Sequence, residues 1–397
     1  MSDGANREAI DEIVGMLDGM FARAGESLAL HEPEIGVAEK ALVMEALDEG
    51  YVSYAGRHVG LFEAALAQAC GTRHAVALAS GTSALHLLLH TLGIGKGDEV
   101  LCPSLTFVAS ANAIVHAGAQ PHFVDCTRSD LSIDCARLES HLARVAMREG
   151  GALRNRQTGR RLAAIMPVHV FGHIGDMAAL RRVAANWSLP IVEDATESLG
   201  SRDAEDLGAR AGVAAALSFN GNKIVTTGGG GAIVTDDSAL AARLKHLSTT
   251  AKLPHRWAFF HDEVGFNYRM PNLNAALGLA QLGRLGDMLA RKRRLAACYR
   301  NTFAAARHWT FLDERAGSAD NFWLNAVMLH SADTATLDAA FEALHAAGFV
   351  CRPCWTPMHR LAIYADAPRD ELPVTGEMAD RIICLPSSPK LAEMLVG

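Results

Sequence analysis

The chain has 397 residues, half of them hydrophobic and a fifth charged, which allows a large buried core and excludes a largely disordered protein. Its formal net charge of −7 argues against nucleic acid and acidic membranes as partners, because both attract basic surfaces. No apolar run reaches the roughly 18 residues that a membrane span needs, and the charged N-terminus differs from a secretory signal, so we expect a cytoplasmic protein.

The first part of the chain is predicted to be helical. The predicted helices are 1–27, 38–47 and 59–70. The first carries apolar side chains at helical spacing, among them Ile13 and Leu17. An aromatic, glycine-containing loop, 51–56, separates the other two. We interpret residues 1–29 as a helical extension that precedes the main domain.

Short apolar strands alternate with helices from residue 75 onwards. The predicted strands are 75–79, 99–102, 121–124, 163–168, 189–192, 213–217 and 232–235. The predicted helices are 84–92, 107–116, 134–147, 176–186 and 238–247. This alternation is typical of an α/β domain with a mostly parallel sheet flanked by helices, which we expect over residues 30–260. The basic stretch 148–161 is predicted to be an exposed loop or hairpin.

Residues 261–397 are predicted to hold a linker helix, 274–289, and a smaller α+β domain. The elements of that domain are a strand near 323–329, a helix over 335–347 and a strand over 349–351. Cys351 and Cys354 form one CxxC pair, and no second pair is present to complete a zinc site with four ligands. We therefore expect no metal.

Polar side chains follow several of the predicted parallel strands, at the edge where such sheets bind ligands. The turn Ser80–Ser83 joins a strand to a helix, and it is either an anion site or an ordinary helix cap. Asp194 either holds a proton on a ring nitrogen, or is an ordinary helix cap or a paired acid in the core. Lys223, in a loop that ends in four glycines, is either a solvated lysine or an amine that attacks a carbonyl.

One type of cofactor uses all three features. An aldehyde that carries a phosphate and a pyridine ring binds lysine as a Schiff base, and its phosphate suits a helix N-terminus. A carboxylate keeps its ring nitrogen protonated, so that the ring accepts electrons. Phe107 lies at a neighbouring strand end, where it either stacks on such a ring or packs in the core.

Several motifs together carry a resemblance to a known family. They are Ser80-Gly81-Thr82-Ser83-Ala84-Leu85, Gly97-Asp98-Glu99-Val100, Pro103-Ser104-Leu105-Thr106-Phe107, Pro167-Val168-His169-Val170-Phe171-Gly172, Glu193-Asp194-Ala195-Thr196-Glu197-Ser198, 218–231 and Asn267-Tyr268-Arg269-Met270. With them the chain resembles the sugar-nucleotide aminotransferases of the DegT/DnrJ/EryC1/StrS family, from about residue 30 to the C-terminal region. The resemblance implies the aspartate-aminotransferase-like fold type I and pyridoxal 5′-phosphate as cofactor.

The resemblance also implies roles for individual residues. Lys223 is expected to form the Schiff base and to move the proton between substrate and cofactor carbons. Asp194 is expected to pair with the pyridine nitrogen, and Phe107 to stack on the ring. Glu197 stands where many members have a glutamine that contacts the phenolic oxygen of the cofactor, and the glutamate puts that contact in doubt.

The phosphate is expected to bind at residues from two subunits. Gly81, Thr82 and Ser218 are the expected ligands from one chain. Asn267 is expected to reach the phosphate in the neighbouring subunit, which implies a homodimer with shared active sites.

The expected reaction is a transamination through pyridoxal and pyridoxamine 5′-phosphate. Glutamate gives the amino group, and carbon 4 of a nucleotide-linked 4-keto-6-deoxy sugar receives it, for a surface glycan such as lipopolysaccharide O-antigen. Segments 193–198 and 220–223 most resemble the 4-amino-sugar synthases named for legionaminic acid. Candidate substrate residues are Tyr54, His169, Arg269 and His359. Alternatives are amination at carbon 3, another fold-type-I reaction, and a regulator that keeps the fold as a non-catalytic binding module.

Overall fold

The computed structural model describes residues 3–22, 25–205, 208–331 and 333–396. The predicted segments 1–29, 30–260 and 261–397 also contain a few residues that lie outside the described ranges. These are 1–2, 23–24, 206–207, 332 and 397. Within the described ranges, no helix combines the length and the apolar character that crossing a bilayer demands.

Helices and strands alternate along most of the chain. The helices are α1 (Asp3–Met20), α2 (Val37–Asp48), α3 (Arg57–Cys70), α4 (Gly81–Thr91), α5 (Val108–His116), α6 (Cys135–Val145), α7 (Met177–Trp187), α8 (Ser238–Ser248), α9 (Asn272–Gly283), α10 (Leu285–Phe303), α11 (Thr334–Ala346) and α12 (Pro373–Ala379). The strands are β1 (His74–Leu78), β2 (Asp98–Pro103), β3 (Gln120–Val124), β4 (Ala146–Glu149), β5 (Ala152–Asn155), β6 (Arg161–Ile165), β7 (Val192–Asp194), β8 (Ala214–Ser218), β9 (Gly231–Thr235), β10 (Lys252–Leu253), β11 (Phe260–His261), β12 (Trp309–Phe311), β13 (Asn325–Leu329), β14 (Arg352–Pro353) and β15 (Ile382–Leu385).

The main sheet has the strand order β3-β2-β6-β7-β8-β9-β1. Neighbouring strands from β3 to β8 pair in parallel, and bridges Ile165–Ile191 and Val168–Asp194 connect β6 to β7. Only β9 runs against its two neighbours, β8 and β1, among these strands. Helices cover the buried strands, as the continuous apolar runs require. The mostly parallel α/β sheet is therefore confirmed.

A second, antiparallel sheet has the order β12-β13-β15-β14 and belongs to the C-terminal region. Helix α1 packs against α10 and α11 of the same region, and buries Ile13 and Leu17 in its core. The Trp309 indole N–H donates a hydrogen bond to the carbonyl oxygen of Ala9 at 2.8 Å. Glu12 accepts hydrogen bonds from two backbone N–H groups before β12. The N-terminal helix is thus part of the C-terminal core.

Some predicted elements have different bounds in the structure. The predicted helix 134–147 ends at Val145, because the next residues pair with β5 as a hairpin strand. The predicted helix 274–289 is two helices that meet at Arg284. The predicted strand 349–351 is absent from the described structure at that position, and residues 352–353 pair with β15 instead. Strand pairing accounts for the first and third differences, and the pairing of residues 352–353 with β15 is long-range information that a local pattern does not contain.

Candidate active site

A cavity of about 310 Å³ lies at the carboxyl ends of the parallel strands. Residues that follow β1, β2, β6, β7 and β8 form one side of it, and aromatic side chains of the C-terminal region form the other. All predicted cofactor residues of this chain except Asn267 line the cavity: Gly81, Thr82, Phe107, Asp194, Glu197, Ser218 and Lys223. The structure therefore brings the strand-end residues together, as the parallel topology predicts.

Asp194 ends β7 and is 2% exposed. The Ser110 hydroxyl donates a hydrogen bond to its Oδ2 at 2.6 Å, and the Thr196 N–H donates one to its Oδ1 at 3.2 Å. Ser110 is itself 2.7 Å from the hydroxyl of Thr106. These contacts fix the orientation of a buried carboxylate whose charge is stabilised by hydrogen bonds.

Lys223 lies in a loop between β8 and β9 that is closed by backbone hydrogen bonds. The Phe219 N–H donates to the carbonyl of Gly230, and the Thr227 N–H donates to the carbonyl of Phe219, both at 2.9 Å. The Lys223 amine donates a hydrogen bond of 3.3 Å to Glu197 Oε1. The amine thus points into the cavity from a fixed backbone.

Glu197 is buried, with 6% of its surface exposed. Its Oε2 accepts a hydrogen bond of 2.9 Å from the N–H of Phe171. Burial raises the pKa of Glu197, and the nearby charge of Lys223 opposes that rise. The neighbouring charge of Asp194 acts in the same direction as burial.

The Ser80–Ser83 turn starts α4 and faces the end of β8. Ser80 is the N-cap, and its side chain accepts a hydrogen bond from the N–H of Ser83. Gly81 lies so close to β8 that a Cβ on it would be 2.9 Å from Ser218 Cβ and 3.1 Å from Thr196 Cγ2. Backbone N–H groups at the start of a helix have no partner within the helix. Those of Gly81 and Thr82 are therefore available as donors to the cavity, and the small Gly81 leaves them accessible.

Sequence reasoning missed several residues of the cavity wall. Trp323 and Trp355 come from the C-terminal region, and Ser110 lies one turn inside α5. The Trp323 ring centroid is 3.6 Å from the Lys223 amine. Phe107 is 52% exposed, and its ring centroid is 6.2 Å from that of Trp355. Ser110 could have been predicted, because it lies one helical turn after Phe107 and therefore on the same side of α5.

Asn267 and Tyr54 lie on the surface of the chain and are not among the residues that line this cavity. Asn267 forms a bridge with Thr249 next to the end of α8. Tyr54 is 47% exposed in the loop before α3. The structure of one chain does not bring either side chain to its own cavity.

His169 is buried on the other side of the sheet. Its Nε2 is 3.1 Å from Glu193 Oε2, and both side chains are almost fully covered. Val168, which precedes His169, and Asp194, which follows Glu193, do line the cavity. Side chains alternate along a strand, so His169 and Glu193 point away from the site. The structure does not bring His169 to the cavity, contrary to the expectation of a substrate contact.

Arg269 and His359 are also not among the cavity residues. Arg269 donates a hydrogen bond to Thr249 Oγ1 and lies 3.7 Å from Glu63. His359 Nδ1 is 2.8 Å from the Ser104 hydroxyl, and burial lowers the pKa of His359. Both side chains have polar partners within the chain.

Two groups of potential metal ligands occur elsewhere among the described residues: Glu45, Glu49 and His58, and His246, Asp262 and Glu263. Arg57 pairs with the carboxylates of the first group, and Arg243 with Glu263 of the second. Such ion pairs are common between surface charges and need no metal.

The family model of the DegT/DnrJ/EryC1/StrS aminotransferases matches residues 33–396. The chain belongs to this family. It is 36% identical over 367 residues to a GDP-perosamine synthase of Caulobacter vibrioides, covering 92% of this chain and 94% of that protein. A GDP-perosamine synthase of Escherichia coli O157:H7 is 32% identical over 368 residues, with coverage of 92% and 94%. The solved structure of DesI in the presence of its TDP-sugar product has a TM-score of 0.79 at 29% identity, covering 95% of this chain and 92% of that one.

These findings confirm the predicted family, fold type I and the dependence on pyridoxal 5′-phosphate. The family member described here is therefore a pyridoxal-phosphate-dependent sugar aminotransferase, and the alternative of a non-catalytic module is set aside. The assignment to the legionaminic acid subgroup stays a prediction.

The cavity of this aminotransferase fits the cofactor. The donors that a phosphate needs lie at the start of α4, where Gly81 leaves no room for a side chain. Asp194 supplies a buried, oriented carboxylate for a ring nitrogen, and Lys223 supplies a primary amine for an aldehyde. The phosphate, the ring nitrogen and the aldehyde of the cofactor therefore each have a matching group in the cavity wall.

Proposed function

We propose that this aminotransferase transfers an amino group from glutamate to carbon 4 of a nucleotide-linked 4-keto-6-deoxy sugar. The observation that carries the proposal is the single cavity that joins Lys223, Asp194 and the start of α4. The two GDP-perosamine synthases support a GDP-linked substrate, because they match this chain over more than nine-tenths of its length. A nucleotide-sugar substrate and free cysteines fit the cytoplasm, where we place the reaction.

In this proposal each residue acts at a stated atom. Lys223 Nζ would hold the aldehyde carbon of the cofactor, and the same amine would take up and return the proton at carbon. The Asp194 carboxylate holds the proton on the pyridine nitrogen, and Ser110 keeps that carboxylate in place. Gly81, Thr82 and Ser218 bind the phosphate. When bound, pyridoxal phosphate supplies an electron sink for the charge left on carbon as the proton departs.

Phe107 and Glu197 complete the cofactor site in this proposal. Phe107 is half exposed at the cavity wall, so its ring is available to stack on the cofactor ring. Glu197 Oε1 lies beside Lys223 at the cavity, where it would hold the phenolic oxygen of the cofactor if either group carries a proton. The aromatic side chains Trp323 and Trp355 offer apolar surface for the sugar ring.

We also propose a homodimer with shared active sites. Asn267 lies on the surface, outside the cavity of its own chain, and is free to reach the phosphate in a partner. Large apolar side chains are exposed nearby, including Trp257 at 73% and Phe259 at 76%. Exposed aromatic patches of this kind mark protein interfaces. Tyr54, 47% exposed, lies on another such surface, where it could contact a substrate bound by the partner.

The reaction is tested with purified protein, pyridoxal phosphate and glutamate. We expect Lys223→Ala to abolish both the absorbance band of lysine-bound cofactor and turnover. Keto-sugars linked to GDP, TDP and UDP, with the keto group at carbon 4 or carbon 3, then identify the acceptor by mass spectrometry. If none of the sugars is aminated in the presence of glutamate, the proposal is refuted. Amination at carbon 3 would correct the proposed position of the new amino group.

Shared sites are tested by mixing two inactive variants. Lys223→Ala and Asn267→Ala subunits are unfolded together and refolded as mixed dimers. If Asn267 serves the partner, one of the two sites in a mixed dimer has both residues intact, and activity returns. A mixture that stays as inactive as its parents, with dimers shown by light scattering, would contradict sharing.

A further inference from the structure

The amine of Lys223 has two close neighbours in the cavity wall. Glu197 Oε1 lies 3.3 Å away, and the face of the Trp323 ring lies 3.6 Å away. The lysine side chain is 13% exposed, and that of the glutamate 4% exposed. A carboxylate and an aromatic face attract an ammonium group most strongly where water is excluded.

Trp323 is held in place from several sides. Its indole N–H donates a hydrogen bond of 2.8 Å to the carbonyl of Asn222, the residue before Lys223. Its backbone N–H donates to Asn321 Oδ1 at 2.8 Å. Its carbonyl accepts a hydrogen bond of 3.1 Å from the buried amine of Lys292. The ring is therefore fixed relative to the loop that carries Lys223.

Glu197 is also fixed, and only one of its oxygens is directed at the lysine. Its Oε2 accepts from the Phe171 N–H, and its backbone carbonyl accepts from Asn321 Nδ2 at 2.8 Å. Phe171 has a φ of 58°, a left-handed conformation that costs energy for a residue with a Cβ. The chain thus keeps a strained residue whose N–H holds Glu197 in position.

We propose that Glu197 and Trp323 form a resting place for the protonated amine of Lys223 while the lysine is not joined to the cofactor. This inference rests on the proposed function and adds a role for two positioning residues. The pair stabilises the proton at Nζ after the lysine has accepted it from carbon. It also keeps the amine inside the cavity until the proton is returned.

The other titratable groups around the amine leave Glu197 as its direct partner. Asp194 lines the same cavity but is engaged by Ser110 and Thr196. His31 is buried, and burial, followed by the charges of Lys292 and Lys223, lowers its pKa, so it stays neutral. The Cys354 thiol is buried, and burial raises its pKa, so it also stays neutral.

The test uses cofactor-free protein and acetic anhydride, which acetylates only neutral amines. Rates at Lys223 are read by peptide mass spectrometry for wild type and Glu197→Gln, with exposed Lys40 in the same samples as the internal control. At about pH 7.5 we expect the variant to react roughly tenfold faster at Lys223, the change that one unit of proton affinity produces. The ratio should fall as the pH rises, because a growing fraction of the amine then loses its proton in both proteins.

Equal rates in the two proteins at neutral pH would overturn the proposal. A ratio that stays the same at every pH would do so too, because it would reflect access and not charge. Trp323→Leu should also speed acetylation at neutral pH, and Trp323→Phe, which keeps an aromatic face, should lie closer to wild type. The outcome is separate from the proposed function, which fails only if added pyridoxal phosphate gives no lysine-dependent band or no sugar is aminated.

Discussion

The close approach of Gly81 to Ser218 leads to a prediction with a matched control. In Gly81→Ala the new Cβ would lie 2.9 Å from Ser218 Cβ, which is shorter than real contacts, and Ser218 is anchored in β8. Either the start of α4 or the end of β8 must shift. Overpacking of this kind costs about 1–3 kcal/mol of unfolding free energy.

Gly60→Ala is the control, because Gly60 also lies in a helix, α3, and has no atom within 4 Å of its would-be Cβ. Alanine gains up to about 1 kcal/mol over glycine in a helix, so this gain largely cancels between the two variants. The difference in their unfolding free energies should therefore be about 1–3 kcal/mol. Urea unfolding of cofactor-free protein, followed by tryptophan fluorescence, measures it.

The same substitution should weaken cofactor binding. If the shift removes one hydrogen bond to the charged phosphate, the loss is about 1.5–3 kcal/mol, or roughly a 10- to 150-fold higher Kd. Titration with pyridoxal phosphate, followed by absorbance, gives this value for both variants. If Gly81→Ala and Gly60→Ala have the same unfolding free energy and the same Kd, the contact between Gly81 and Ser218 is not as tight as we infer.

Ser110→Ala removes a hydrogen bond to Asp194 and should lower kcat/KM by about 10- to 150-fold, while an unchanged value would mean that the carboxylate needs no support. Deletion of residues 1–21 uncovers Trp309 and the core around it and should lower the unfolding free energy by several kcal/mol, because each fully buried large apolar side chain contributes about 1.5–3 kcal/mol; an unchanged Tm would contradict this. Burial lowers the pKa of His141 to about 4. As the pH drops through about 6.5, this histidine takes up a proton in the unfolded chain but stays neutral in the folded chain, so the free energy of unfolding decreases. From about pH 7 to 5 this loss is about 2 kcal/mol, and His141→Gln should lack it; equal acid sensitivity of the two proteins would refute the assignment.

The strand-end part of the site was predictable from the sequence because topology alone places it. Parallel strands end at one edge, so Asp194, Ser218 and Lys223 had to lie near the turn after β1. Their residue types then indicated the cofactor chemistry. The alternation of short apolar strands and helices was equally informative about the sheet, because both faces are buried.

The other wall of the cavity was not predictable by the same argument. Trp323 and Trp355 come from a region whose position against the main sheet depends on long-range packing. His169 was misplaced because a strand end does not reveal which face a side chain takes, and a shift of one residue reverses it. The strand after 349 was also misplaced, since its bounds depend on pairing with β15.

The closed loop around Lys223 determines how the amine can move. Its ends are joined by backbone hydrogen bonds, and Asn274 Nδ2 donates two more, to the carbonyls of Thr227 and Gly229. The position of the Lys223 Cα is thus fixed, and the amine moves only by rotation about the bonds of its four methylene groups. Every position that the amine can reach lies within one side-chain length of that Cα. A side chain shorter by one methylene would reach less far from the same Cα, and its amine would have fewer positions available within the cavity.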